Sequence, residues 1–214
     1  MDLSLYHLVR EPKVKLEKNP LLLLLHGYGS NEEDLFSFAD ELPDEYFIVS
    51  ARAPYSLPPY GNAWYAITFD NDMNKFSDDK QAIESRDLIV KFIDELIEAY
   101  PIDKDNITLL GFSQGSILSY AVALTYPEKI NRVAALSGYL NMDIVGKSLH
   151  AEDVTKVRFF ASHGVVDQVI PVEWAQKAPE FLKNLGVDVE YHEYNSGHGV
   201  APQNFHDLLH WLKK

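Results

Sequence analysis

No cysteine occurs in the chain, which removes disulfides, thiolate metal sites and a cysteine nucleophile in one step. Basic residues are scarce: 19 Lys and Arg stand against 32 Asp and Glu, for a formal charge of −13. Partners bound through phosphates need clustered positive charge, so no nucleic acid partner is expected, and anionic bilayers are repelled at long range. Long apolar runs are missing too. The run Leu21–Leu25 falls far short of the ~20 residues of a membrane span. The opening stretch, MDLSLYHLVREPKVK, lacks a basic segment followed by an apolar one. These absences predict a cytoplasmic chain without stable membrane association. The remainder is ordinary for a globular protein, with 46% hydrophobic and 24% charged residues in 214, and predicts a single domain over residues 1–214.

Short apolar runs recur at 3–9, 21–25, 47–50, 107–110, 132–136, 157–161 and 187–192. They read as strands, several of them apolar on both faces. Helical patterns fill the intervals at about 31–41, 78–99, 114–125 and 173–185, with a last one at 203–212. This alternation predicts an α/β fold: a mostly parallel twisted sheet with helices on both faces. The segment 3–9 can pair antiparallel at the sheet edge. Ser30 with Glu33 has the spacing of a capping box, and Pro101 and Pro127 follow two helix ends. Segments 51–77 and 137–156 exceed the ~12–15 residues of an ordinary connector. The first is rich in aromatics, among them Tyr55, Tyr60, Trp64 and Tyr65. No stretch is long enough for a large cap domain.

Chemistry enters at ITLLGFSQGSIL, where Ser113 stands between Gly111 and Gly115 at the change from an apolar strand to a helical pattern. A serine hydroxyl becomes a nucleophile only with a base to take its proton and preset donors for the oxyanion. A sharp strand-to-helix turn lifts the residue out of the sheet, and glycines two before and two after let backbone approach. The amide of Gln114, at the start of the helix, then faces the developing charge. The pattern G-x-S-x-G alone arises by chance in roughly 7% of chains of this length; the strand before it and the helix after it remove most such matches.

A nucleophile on such a turn calls for an acid and then a histidine after later strands. After VRFFA comes SHGVVDQVIP with Asp167, and after VDVEYH comes EYNSGHGV with His198. His163 precedes the acid at a strand end and is expected to support its loop. His192 lies in the last strand, and His206 and His210 belong to the final helix. Asp143 and Asp153 sit in a loop, and Asp188 opens a strand. The second oxyanion donor should follow an early strand, and LLLLLHGYGSNEEDLF points to the amide of Tyr28.

The stretches LHGYGSNEEDLF, GFSQGSIL, HGVVDQVIP and GHGV, in this order across most of the chain, resemble the phospholipase/carboxylesterase family of the α/β-hydrolase fold, which includes the acyl-protein thioesterases. The resemblance implies hydrolysis of carboxylic esters or thioesters by Ser113, Asp167 and His198, with oxyanion amides from Tyr28 and Gln114 and no cofactor. One departure is Ser30, which stands where many members carry an acidic residue after His-Gly-x-Gly. The expected partner is a small-molecule or acyl ester substrate, and homodimerisation is left open. Loop 51–77 leaves the carboxyl end of a strand, where active sites of parallel sheets lie, and the resemblance also places a Trp of this segment near the cleft. Trp64 and Tyr65 are therefore candidate substrate contacts, with a core-anchoring Trp64 as the alternative. A metal site on His206 and His210 is disfavoured, because no H-E-x-x-H is present and Phe205, Leu208, Leu209 and Leu212 leave these histidines on the outer face.

Overall fold

The computed structural model describes residues 3–69, 75–146 and 151–214, so residues 70–74 and 147–150 of the two long segments lie outside the described residues. In chain order, β1 (His7–Arg10), β2 (Asn19–Leu25) and β3 (Phe47–Ala51) are followed by two short antiparallel hairpins, β4 (Tyr55–Ser56) with β5 (Asn62–Ala63) and β6 (Ile67–Phe69) with β7 (Lys75–Ser77). Then come β8 (Ile102–Phe112), β9 (Arg132–Leu136), β10 (Arg158–Gly164) and β11 (Val189–Tyr194). Seven strands form one sheet in the order β1-β3-β2-β8-β9-β10-β11. Every pairing in it is parallel except β1 with β3, which lies antiparallel at the edge.

The helices are α1 (Glu33–Phe36), α2 (Asp79–Ala99), α3 (Gln114–Thr125), α4 (Ala151–Val154), α5 (Val172–Ala175), α6 (Lys177–Asn184) and α7 (Pro202–Leu212). Strand β2 shows why the sheet needs cover on both sides. Its side chains alternate, so Leu21, Leu23 and Leu25 join one core with α2, α3 and α6, whereas Leu22 and Leu24 join a second core with α1 and α7. All five leucines are fully buried. Helix α3 is buried from Gln114 through Leu124, which accounts for a helical segment without a polar face.

Two helices differ from their sequence patterns. Over 31–41 only Glu33–Phe36 is α-helical, and the chain continues in tighter i→i+3 turns such as Phe38 N to Leu35 O. No capping box forms there. Ser30 Oγ donates to Asp34 Oδ2 at 2.7 Å, and it is Asn31 Oδ1 that accepts from the Glu33 amide. The neighbouring Glu32 is buried and receives Arg52 Nε at 2.6 Å. The segment 173–185 is two helices, α5 and α6, broken at Gln176. Pro179 has no N–H to give to Ala175, and restarting the helix at Lys177 puts it in a first turn, where no donor is needed.

The connection after β2 leaves through α1 on one face of the sheet, and the connection after β8 leaves through α3 on the other. These two strands are neighbours, with Leu25 beside Gly111. Their loops therefore part over adjacent strand ends and open a crevice at the switch point of the sheet.

Candidate active site

Ser113 follows β8 and caps α3 with φ 53° and ψ −113°. A residue with a Cβ is disfavoured at this φ. It is held there from both sides: its amide donates to Leu136 O at 2.9 Å, and its carbonyl accepts from Ile117 N at 3.1 Å. The flanking glycines are required by close approach. A Cβ on Gly111 would overlap the Gly115 backbone, and one on Gly115 would overlap the carbonyl of Leu25. Without them the helix could not sit this close to β2 and β8.

The three side chains picked from the loops after β8, β10 and β11 meet. His198 Nε2 lies 2.9 Å from Ser113 Oγ. His198 Nδ1 lies 2.7 Å from Asp167 Oδ2. The other carboxylate oxygen, Oδ1, accepts from the amides of Val169 at 2.7 Å and Ile170 at 3.0 Å. Burial of Asp167 opposes its ionisation, but the Ile170 amide, the His198 ring and the Val169 amide outweigh it and hold the carboxyl below its ordinary value. The side chain of Asp167 is fully buried, and that of His198 is 18% exposed, so of this pair only the imidazole lines the cavity.

The rival residues lie elsewhere. His163 is fully buried, with Nε2 donating to Ile170 O at 2.8 Å, and lies 3.3 Å from Asp167 Oδ2. It underpins the loop that carries the acid. His192 pairs with Glu190. Asp153 pairs with Lys156 and Asp188 with Arg158, and Asp143 lies in a 3₁₀ turn. His206 and His210 are exposed on α7, and among the described residues no three His, Asp or Glu side chains are grouped to hold a metal.

A cavity of about 350 Å³ opens over Ser113, Gln114 and His198, walled by Tyr28, Tyr65, Ile67, Ile117, Val169 and Ile170. The amides of Tyr28 and Gln114 have no protein acceptor among the described residues. Tyr65 lines the cavity, and burial pushes its hydroxyl well above the ordinary phenol value. Trp64 does not line the cavity. It is fully buried, its amide donating to Gln114 Oε1 at 2.8 Å and its indole Nε1 to His26 O at 3.0 Å. This geometry is that of the core-anchoring alternative, and the reason is that the backbone of 64–65 is clamped: Gln114 Nε2 also donates to Tyr65 O at 2.8 Å.

Sequence reasoning missed the apolar walls Ile67, Ile117, Val169 and Ile170. A signal existed for two of them, since VVDQVIP sets apolar residues around an acid in a loop that has no strand or helix period. Ser137 was missed as well. It directly follows β9 with φ 51°, and its hydroxyl donates to Gly199 O at 3.4 Å, beside His198. Nothing in its neighbourhood in the sequence announces that conformation.

The model of the phospholipase/carboxylesterase family matches residues 7–214. An acyl-protein thioesterase 1 of Emericella nidulans is 31% identical, over 90% of this chain and 89% of that protein. An acyl-protein thioesterase 1 of Mycosarcoma maydis is 28% identical, over 97% and 95%. The crystal structure of a Bacillus cereus carboxylesterase superposes with a TM-score of 0.85 at 21% identity, covering 98% of this chain and 94% of that one. The chain belongs to the phospholipase/carboxylesterase family, built on an α/β-hydrolase fold with no large cap among its described residues.

Proposed function

We propose that this chain is a serine esterase that hydrolyses carboxylic esters or thioesters through an acyl-enzyme on Ser113. The observation that carries the reading is the continuous hydrogen-bonded line from Ser113 Oγ through His198 to Asp167, at 2.9 and 2.7 Å. Ser113 Oγ attacks the carbonyl carbon as its proton passes to His198 Nε2, and the carbonyl electron pair moves onto oxygen. The amides of Tyr28 and Gln114 receive that oxyanion. Collapse expels the alkoxide or thiolate, which takes the proton from His198. Water then repeats the attack on the acyl-enzyme, giving up its proton to His198, and collapse releases the carboxylic acid and returns the proton to Ser113 Oγ. Asp167 orients the imidazole and stabilises its cation without itself taking a proton.

The acyl group belongs in the cavity bounded by Tyr65, Ile67, Ile117, Val169 and Ile170. At about 350 Å³ it lies near the small end of ligand pockets, which run from about 300 to 1,000 Å³, and suits a short to medium acyl chain. Tyr65 remains a proposed substrate contact, and Trp64 is reassigned as an anchor. The acyl-protein thioesterase reading is supported by the names of the two relatives above; the chemistry is shared and only the leaving group changes. A single domain acting in the cytoplasm is part of the proposal and rests on size, charge and the absence of cysteine. Among the described residues, no helix is long and apolar enough to cross a membrane.

Incubation with a fluorophosphonate, followed by peptide mass spectrometry, tests the reading. One adduct per chain on Ser113 is expected, whereas an unlabelled, folded protein would mark a binding module that does no chemistry. Turnover of p-nitrophenyl esters of increasing chain length, beside an acyl thioester and a lysophospholipid, then ranks the substrate classes.

A further inference from the structure

His26 is fully buried, titratable and unused by the chemistry above. It ends the leucine strand and begins the turn His26-Gly27-Tyr28. Its Nε2 accepts from the amide of Ala53 at 3.0 Å, so the ring proton resides on Nδ1. That proton is donated to Gly27 O at 2.7 Å. Burial lowers the imidazole below its ordinary value against the Gly27 carbonyl, Asp34 and Glu32, which raise it, and the Ala53 amide donating to Nε2 marks the ring as neutral. The tautomer is thus fixed by the protein.

Gly27 O belongs to the same peptide group as the amide N–H of Tyr28. In a trans peptide the C=O and N–H point in opposite directions. A ring that grips the carbonyl on one side therefore aims the N–H out of the other, and a hydrogen bond to the carbonyl polarises the N–H as a donor. A Cβ built on Gly27 would lie 3.2 Å from the Phe112 ring and 3.3 Å from Ser113 Cβ, so this peptide starts beside the nucleophile.

His26 is itself held from behind. Trp64 Nε1 donates to His26 O at 3.0 Å, and the two rings lie 5.7 Å apart at 38°. Trp64 is in turn tied to the other donor's residue, because its amide donates to Gln114 Oε1 at 2.8 Å. Its carbonyl is fixed by Ser85 Oγ. Just after Tyr28, Gly29 N donates to Asn62 O at 2.9 Å and Asn62 N to Ser30 O at 2.7 Å, so together with the Trp64–His26 bond the turn is laced to residues 62 and 64 on both sides of Tyr28. Any buried His or Trp needs partners for its polar atoms; here those partners also link the Gly27–Tyr28 peptide, through His26 and Trp64, to Gln114.

We infer that His26 is a positioning residue which aims the Tyr28 amide at the oxyanion, and that Trp64 locks His26 in register with the helix carrying Gln114. The inference rests on the serine-esterase reading and deepens it. Donors aimed in advance act only on the charge that develops in the transition state, so their loss lowers kcat and spares KM.

The test uses the full chain with His26→Leu, His26→Asn and Trp64→Phe, and reads kcat, KM and the inhibition constant of an acyl trifluoromethyl ketone, whose hemiketal oxyanion mimics the tetrahedral intermediate. In His26→Leu, kcat should fall about 10- to 100-fold with little change in KM, and the ketone should weaken by the same factor. His26→Asn, which can offer an amide N–H to Gly27 O, should recover most of both. Trp64→Phe keeps the bulk and loses the indole donor, and should move kcat and ketone affinity together for every acyl length. If His26→Leu does not fold, Trp64→Phe carries the same comparison. Folded variants with unchanged kcat and ketone affinity would overturn the inference, as would a Trp64→Phe defect confined to KM on long chains, or an Asn variant no better than Leu. Fluorophosphonate labelling of the unmodified chain separates the two levels: no adduct removes the esterase reading, whereas an adduct with normal variants removes only the role of His26.

Discussion

Asp167 gives one carboxylate oxygen to His198, at 2.7 Å, and keeps the other for the amides of Val169 and Ile170. The division fixes the rotamer of the acid and the tautomer of the base together. Replacing Asp167 by Asn would set an NH₂ or a neutral oxygen against the ring and lose the charge that stabilises the imidazolium. A fall in kcat of about 10⁴ is expected for Asp167→Asn on any ester, with KM little changed. Steady-state kinetics on the purified variant measures it.

The same carboxyl links stability to pH. Its folded-state value is depressed, so its contribution is present above the unfolded-state pKa of about 3.9 and is lost as pH falls through the lower folded value. Urea unfolding should therefore show wild type exceeding Asp167→Asn by more at pH 6 than at pH 3. An equal gap at both pH values would place the stabilisation elsewhere.

His163 and His198 should separate cleanly. His198→Ala removes the base and should cost about 10⁶ in kcat, by analogy with other serine triads. His163→Leu removes the donor to Ile170 O and leaves a buried carbonyl unpaired, which costs about 1–3 kcal/mol of stability. Its kcat should fall far less than that of His198→Ala. Thermal unfolding and kinetics on both variants give the comparison, and a larger kcat loss in His163→Leu would reverse the two roles.

Ser113 carries a backbone conformation that favours glycine. Strain of this kind costs on the order of 1–3 kcal/mol, part of it offset in a glycine variant by chain entropy. Ser113→Gly should consequently be more stable than Ser113→Ala by about 1 kcal/mol, although both are inactive. Denaturant midpoints decide it.

The cavity wall makes a prediction for selectivity. Ile117 lies one helical turn after Ser113 and lines the cavity. Ile117→Phe should shorten the preferred acyl chain, with about 1–3 kcal/mol of discrimination per excluded methylene. A chain-length profile of kcat/KM reads this directly, and a uniform loss across all lengths would take Ile117 out of the wall.

Much of this was legible in the residues because the responsible forces are local. The leucine run at 21–25 has to be a strand covered on both faces, and the glycines around Ser113 mark a backbone approach that a Cβ would block. The loops carrying Asp167 and His198 follow strands in the order the nucleophile demands. Tertiary packing decided the rest. Segment 31–41 has the apolar spacing of a helix, yet Ser30 and Asn31 spend their oxygens and donors within the turn and Glu32 goes to Arg52. Trp64 sits in an aromatic loop beside the cleft, which suggested a substrate wall; its direction is set by Gln114 and His26, partners 50 and 38 residues away. Such contacts leave no periodic trace. The neutral ring of His26 could not be foreseen either, because the motif His-Gly-x-Gly shows the turn and not the peptide that the ring grips.

The most direct measurement is turnover by Ser113→Ala beside a burst experiment on the unmodified chain. With a p-nitrophenyl ester, wild type should release one p-nitrophenolate per chain if deacylation is the slower step, and carry the acyl mass on the peptide containing Ser113. Ser113→Ala should keep its unfolding temperature, form no adduct and lose about 10⁶ in kcat. A folded Ser113→Ala that still turns over esters at a rate within tenfold of wild type, or an acyl adduct on any other residue, would contradict the assignment of the nucleophile.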